Sequence, residues 1–156
     1  MRELKSEFLC HMEATLAPTI DVGSGALGPR MIANVTGGTM EGPRLSGKVL
    51  PSGADWFLPK FEDGLVNLDV RALLETDDGA HIYTQYTGRI AFAPERAAEL
   101  LAQEKRGDVD PDTYYFRTAP LFETGSEKYH WLNRIQCVGV GEIIPGGVAY
   151  DIFEIK

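Results

Sequence analysis

Leu65 to Ile90 reads LVNLDVRALLETDDGAHIYTQYTGRI, and this stretch decides the fold. It holds two strand-length runs of alternating polarity joined by Asp77-Asp78-Gly79. The common three-residue hairpin loop is a type I turn followed by one left-handed residue. Gly79 stands at that third position, where the lack of a Cβ costs least. Such a loop sets Glu75 opposite His81, Leu73 opposite Tyr83, Arg71 opposite Gln85 and Asp69 opposite Thr87. One face then carries Asn67, Asp69, Arg71, Glu75, His81, Tyr83, Gln85, Thr87 and Arg89. The other carries Val66, Leu68, Val70, Ala72, Leu74, Ile82, Tyr86 and Ile90. Alternation fixes which residues share a face and leaves open which face turns inward.

Short strands continue on both sides. Phe8, Cys10, Met12, Ala14 and Leu16 alternate with Leu9, His11, Glu13 and Thr15, a half-buried strand that Pro18 ends. Within Asp21 to Pro29, Gly23-x-Gly25-x-x-Gly28 matches the dinucleotide fingerprint in spacing. That motif works only where its last glycine opens a helix. Here Pro29 and Arg30 lead into the β-rich run MIANVT, so the segment reads as a glycine-rich connection between antiparallel strands. Arg44 to Leu50 is a short strand ended by Pro51-Ser52-Gly53, and Ala54 to Phe61 starts the next. Past Ile90 the period changes once. Pro94 and Glu95 suit a helix start, Ala97, Leu100 and Leu101 form an i, i+3, i+4 stripe, and Gly107 is a stop. This helix is expected to lid or flank the sheet. Tyr114 to Thr118, Tyr129 to Gly141 and Val148 to Ile155 complete the strands, with Pro145-Gly146-Gly147 as the last hairpin turn. The pattern predicts one all-β domain over residues 1–156, an antiparallel, closed or nearly closed barrel with one short helix.

Composition narrows the partners. With 15 Lys and Arg against 23 Asp and Glu, the net charge of −8 argues against nucleic acid and anionic membrane surfaces, both of which need a basic footprint. No run approaches the ~20 apolar residues of a membrane span. The N-terminus lacks an apolar stretch of signal-peptide length, so the expected compartment is the cytoplasm. Cys10 and Cys137 are too few for a disulfide scaffold and read as reduced core residues.

Chemistry is sparse. His11, His81 and His130 are scattered, without metal-ligand spacing. No serine lies in a nucleophile elbow, and neither cysteine has a histidine partner in a motif. Asp108, Asp110 and Asp112 imitate half a calcium loop, but Thr113 stands where its glycine belongs and Ala119 where its glutamate belongs. No nucleophile, metal or cofactor is assigned. What remains is a polar and aromatic set at strand ends and turns: Ala54-Asp55-Trp56, the Asp69 and Arg71 pair, Phe116-Arg117-Thr118, Phe122 to Gly125, and Tyr129, Trp131 and Asn133 on one face of a strand.

Three of these segments, TGGTMEGPRLSGKVLPSGADW, LDVRALLETDDGAHIY and YYFRTAPLFETGSEKYHWLN, resemble the bacterial domain-of-unknown-function family 3237, also called uncharacterised protein family 0311. The resemblance spans nearly the whole chain. It implies a small calycin-like β-barrel, similar in shape to allene oxide cyclase and the lipocalins, and no assigned activity. Such families usually carry alanine where this chain has Val70, which lies on the opposite face from Asp69 and Arg71.

Small barrels are either filled by side chains or hold one ligand. The first functional expectation is a small-molecule site in the barrel mouth, lined by Trp56, Asp69, Arg71, Tyr83, Arg117, Glu123, Trp131 and Asn133. Its ligand would be a small hydrophobic or carboxylate compound. Arg71 and Arg117 would grip a carboxylate or polarise a carbonyl, with Asp69 or Glu123 as general acid or base. Cofactor-free isomerisation, cyclisation or hydration would fit those groups. The second expectation is a non-catalytic module with a filled barrel and a polar outer face meeting solvent or another subunit, which leaves room for a homo-oligomer. The orientation of Asp69 and Arg71 separates the two.

Overall fold

A computed structural model describes residues 1–101 and 109–156. Eleven strands run β1 (Ser6–Leu16), β2 (Ile20–Gly25), β3 (Gly28–Glu41), β4 (Gly47–Asp55), β5 (Leu58–Lys60), β6 (Leu65–Thr76), β7 (His81–Ala91), β8 (Tyr115–Thr118), β9 (Leu121–Glu123), β10 (Cys137–Ile144) and β11 (Gly147–Ile155). Antiparallel pairing runs β6-β4-β3-β1-β11-β10-β8-β7, and β7 pairs back onto β6. The result is a closed eight-strand antiparallel barrel with extra strands. β5 extends the β4 position along β6, β9 extends the β8 position along β7, and β2 adds to the start of β3.

The central hairpin has the register its turn demands. Glu75 faces His81, Leu73 faces Tyr83, Arg71 faces Gln85 and Asp69 faces Thr87. Thr76 N–H donates to Ala80 O at 2.9 Å, and Gly79 adopts φ 85°. Open space surrounds the position a Gly79 side chain would take, so only backbone strain opposes a substitution there. Gly79→Val should therefore destabilise the protein by ~1–2 kcal/mol, the cost of forcing a β-branched residue into the left-handed region. Denaturant midpoints check this, and an unchanged midpoint would refute the turn geometry.

The apolar face of this hairpin turns inward. Val66, Leu68, Val70, Ala72, Leu74, Ile82, Tyr86 and Ile90 are all buried. The polar face lies outside.

Four other expectations are corrected. Phe8 does not share the inner face with Cys10: a bulge between them buries both Leu9 and Cys10 and leaves Phe8 39% exposed, packed edge-on against Phe153. Pro51-Ser52-Gly53 does not end a strand. It is a bulge inside β4, which begins at Gly47 rather than Arg44; from Val49 to Gly53 the strand advances four residues while β6 advances two, from Leu74 to Ala72. Ala54 to Phe61 is not one strand either, since β4 ends at Asp55 and β5 is a separate piece leading into a 3-10 turn at Phe61–Asp63. Tyr129 to Gly141 is not one strand: His130–Arg134 is a 3-10 segment and β10 starts at Cys137. That segment is held by tertiary contacts. Leu132 is fully buried, the Tyr129 hydroxyl donates to Asp78 at 3.0 Å, and the Asn133 amide clasps Thr124 N–H and C=O at 2.8 and 2.9 Å.

The dinucleotide-like glycines form the β2–β3 hairpin, with no helix after Gly28. After β7 a 3-10 turn at Pro94–Arg96 leads into α1 (Ala97–Leu101). The expected continuation to Gly107 lies outside the described residues, as does Asp108 of the calcium-like run. Asp110 instead caps a turn, its carboxylate accepting from Asp112 N–H at 3.0 Å. Cys10 and Cys137 are buried free thiols, both pushed up to about 12 chiefly by burial. Among the described residues no helix is long and apolar enough to cross a membrane.

Candidate functional site

The barrel interior has two halves. At one end Cys10, Met40, Leu45, Leu74, Ile82 and Ile152 are almost fully buried and fill the lumen. The other half is hollow, with a cavity of about 100 Å³. Strand by strand the boundary is consistent. Val66, Leu68 and Val70 of β6 line the cavity while Leu74 does not, and Ala14 and Leu16 of β1 line it while Met12 does not. An aromatic layer makes the floor. Tyr150 from β11 meets Tyr86 from β7 edge-on at 5.6 Å between ring centres, and Phe116 from β8 meets Tyr150 at 5.4 Å. Leu100 from α1, buried to 2%, and Phe57 close in on the opposite end. The helix thus contributes Leu100 to the cavity wall.

The walls are aliphatic apart from Thr19 and three groups that matter chemically: Asp55, Tyr86 and Tyr150. Among the described residues no Lys, Arg or His lines the cavity. Asp55 reaches the interior because of the β4 bulge. Past Gly53, Ala54 faces outward-pointing Arg71 and Asp55 faces inward-pointing Val70. On the other side its neighbour is Ala33, whose small side chain leaves the carboxyl room. One carboxylate oxygen accepts from Asp69 N–H at 3.0 Å. Burial pushes the Asp55 pKa up to about 7, the Asp69 N–H opposes that rise, and the nearby Asp69 charge adds to it. The residual accessible surface of Asp55 is consistent with its place on the cavity wall.

Both phenols are also displaced. Burial pushes Tyr86 and Tyr150 well above the usual phenol range, and the Asp55 charge adds to both shifts. They stay protonated at every physiological pH. The two hydroxyls pair with each other, which lowers the Tyr86 pKa and raises that of Tyr150, as when the Tyr150 O–H donates to the Tyr86 oxygen. Buried polar groups are nearly always satisfied, and an exception calls for a water, an ion or a ligand.

The residues expected to line a site lie elsewhere. Asp69 and Arg71 pair at 3.3 Å on the outer wall, their side chains 47% and 49% exposed. Arg71 also sits over the Trp56 ring at 5.6 Å, so those three form one exterior cluster. Tyr83, Glu123 and Asn133 line a second exterior groove beside Leu121, with the Tyr83 hydroxyl donating to Gln85 at 3.0 Å. Arg117 stacks over Tyr115 on a further outer face at 5.0 Å. Trp131 carries Arg44 over its ring at 4.5 Å, beside the ion pair of Arg44 with Glu154. None of the eight lines the barrel cavity. The physical reason is the hairpin's orientation: burying its aliphatic face sends every alternate polar residue outward.

An exposed pair has a predictable weight. Arg71→Met, and the double variant Asp69→Asn with Arg71→Met, should both unfold within ~1 kcal/mol of wild type, because such pairs contribute ~0–1 kcal/mol. A loss near the ~3–5 kcal/mol typical of breaking a buried pair would contradict this placement.

Residues 4–155 match the family model described as protein of unknown function (DUF3237). A UPF0311 protein of Rhodopseudomonas palustris is 36% identical over 97% of each chain. The crystal structure of a beta-barrel like protein from Acinetobacter baumannii superposes with TM-score 0.84 at 41% identity, covering 100% of this chain and 98% of that one. A hydroalkoxylation enzyme of Penicillium herquei is 26% identical over 133 residues, 85% of this chain and 71% of that protein.

Proposed function

Since this chain belongs to the DUF3237 family, whose description assigns no activity, we propose a function from the site itself: the barrel takes a small uncharged molecule bearing oxygen, and Asp55 moves a proton on it as general acid and base. The observation that carries this reading is the trio of inward polar groups, Asp55, Tyr86 and Tyr150, gathered in a largely apolar cavity. A carboxyl held near pH 7 has both of its forms populated at neutrality, which suits proton transfer in either direction. The protein's own carboxyl and phenols are enough for isomerisation, cyclisation or addition across a double bond. The name of the Penicillium relative points the same way, because hydroalkoxylation moves one proton and needs no redox step.

Charge selects the ligand class. A carboxylate entering this cavity would lose its water, meet no cation among the lining residues and face Asp55. Uncharged ligands avoid all three costs. A volume of about 100 Å³ suits one ring or a short chain rather than a drug-sized compound.

Thermal shift tests this with paired probes at pH 7: cyclohexanone against cyclohexanecarboxylate, and cyclohexanol against hexanoate. The neutral members should raise the melting temperature and the anions should not. At a hundred times its Kd a ligand adds ~2.7 kcal/mol. Ala33→Leu, which fills the space beside Asp55, should abolish the response. Equal responses to both members of each pair, or an undiminished response in Ala33→Leu, would defeat the reading.

A further inference from the structure

We infer that Tyr86 and Tyr150 form an oxyanion-binding pair and that the cavity enolises a ketone, with Asp55 taking the proton from the carbon next to the carbonyl. This rests on the reading of the cavity as a site for an uncharged oxygen-bearing ligand and names its substrate class and first step.

Strand register supplies the geometry. Asp55 faces Val70 across β4 and β6, and Val70 faces Tyr86 across β6 and β7. The carboxyl and the phenol thus stand in one cross-strand row, two strand spacings or about 9–10 Å apart at the backbone. Tyr150 reaches the same place from the far wall, its ring against that of Tyr86. A ligand whose oxygen sits at the phenols extends its adjacent carbons toward Asp55. The two ends of the site are therefore different tools, donors at one and a base at the other.

The donor end suits developing negative charge. Both phenols are buried, keep their protons and pair with each other, a bond that an oxygen placed between them would replace by accepting from both. Fixed donors aimed into a dry cavity favour an oxygen that gains charge during the reaction over one that does not. A carbon–carbon double bond by itself would offer these hydroxyls no acceptor. A carbonyl offers two lone pairs, one for each.

The step balances within the site. Ionised Asp55 accepts the proton from the α-carbon. The electron pair of the broken C–H bond becomes the C=C bond of the enolate, and the carbonyl π pair moves onto oxygen between the two phenols. The Asp55 carboxyl exchanges its proton with solvent before returning one to carbon, so return to the same carbon regenerates the ketone carrying a solvent hydrogen, and return to a vinylogous carbon isomerises an enone. No oxidant, reductant or second substrate enters.

Cyclohexanone in D2O makes the step visible by proton NMR, as loss of the α-proton signal with time. Saturation-transfer difference spectra on the same samples report binding separately. Wild-type protein should exchange the α-protons at least tenfold faster than buffer alone at pD 7.4. Asp55→Asn should return the rate to background while still binding the ketone. Tyr86→Phe and Tyr150→Phe should each bring the rate most of the way to the buffer background with the fold intact, since removal of one oxyanion donor costs about 100-fold or more. Binding without accelerated exchange would overturn enolisation and leave the ligand-binding reading standing. Exchange that survives Tyr86→Phe combined with Tyr150→Phe would overturn the oxyanion role. Absence of binding by cyclohexanone and every other neutral probe would sink both readings together.

Discussion

Asp55→Asn is expected to melt higher than the wild-type protein at pH 8 and together with it at pH 4. The wild-type carboxyl titrates near 3.8 when unfolded and at about 7 when folded, because burial disfavours its charge. Between those values the folded state holds a proton that the unfolded state has released. Stability from this group is thus fully present below about pH 4 and is lost as pH rises through about 7. A displacement of roughly three units corresponds to on the order of 4 kcal/mol at most, or several degrees of melting temperature for a chain this size. Asparagine keeps the acceptor for Asp69 N–H and carries no charge to desolvate. The Asp69 charge, which adds to the Asp55 rise, is part of that difference, and the two phenols stay protonated across the range; Arg71 and Arg30, which contact Trp56, are the same in both variants. Melting curves of the pair from pH 4 to pH 8 measure it. A constant offset across that range would mean that Asp55 holds its proton equally in the folded and unfolded chain, and would remove it as an acid–base group near neutrality.

A residue that costs stability at working pH is one that packing alone would have replaced. The outer wall shows the contrast. Asp69 and Arg71 are conspicuous charges in the sequence, yet they share an exposed contact and little depends on them. Asp55 is inconspicuous beside Trp56, yet among the described residues it is the one carboxyl facing the cavity.

That contrast explains what could be read from the chain. The hairpin was legible because its turn and its two-residue period leave one register, and every pair expected from Asp77-Asp78-Gly79 forms. The family and the barrel were legible too. Which face turns inward was not, since alternation is symmetric. Reading the polar face as the lining put the candidate site on the wrong side of the wall. A signal was available in Tyr86, the one phenol on the hairpin's aliphatic face, and in Tyr150 amid Val148, Ala149 and Ile152. A phenol placed among aliphatic residues needs a partner once that face is buried. The 3-10 segment at His130–Arg134 defeated pattern reading for another reason. Tyr129, Trp131 and Asn133 alternate like a strand, but their conformation is fixed by Asp78, Arg44 and Thr124, which are remote in sequence.

Gly53→Val should be among the most damaging single changes outside the packed half of the barrel. Gly53 adopts φ 97°, and a Cβ built there would lie 2.0 Å from Arg71 O and 3.0 Å from Ala72 Cα. Those atoms are backbone in the neighbouring strand, so no side chain can swing away to make room. Two costs add. A β-branched residue at positive φ loses ~1–2 kcal/mol, and forcing β4 away from β6 adds the ~1–3 kcal/mol typical of overpacking. A loss of ~3 kcal/mol or more is expected in denaturant midpoints. The consequence for the site is separate from the consequence for stability. This bulge brings Asp55 opposite Val70 and onto the Asp69 N–H, so relaxing it moves the carboxyl. Gly53→Ala is the gentler variant, with the same clash and no β-branch. In whatever fraction of it stays folded, the thermal shift with cyclohexanone should fall well below that of wild type. A folded Gly53→Ala protein with wild-type ligand response would show that the bulge sets stability alone, and that Asp55 is placed by something other than the kink in β4.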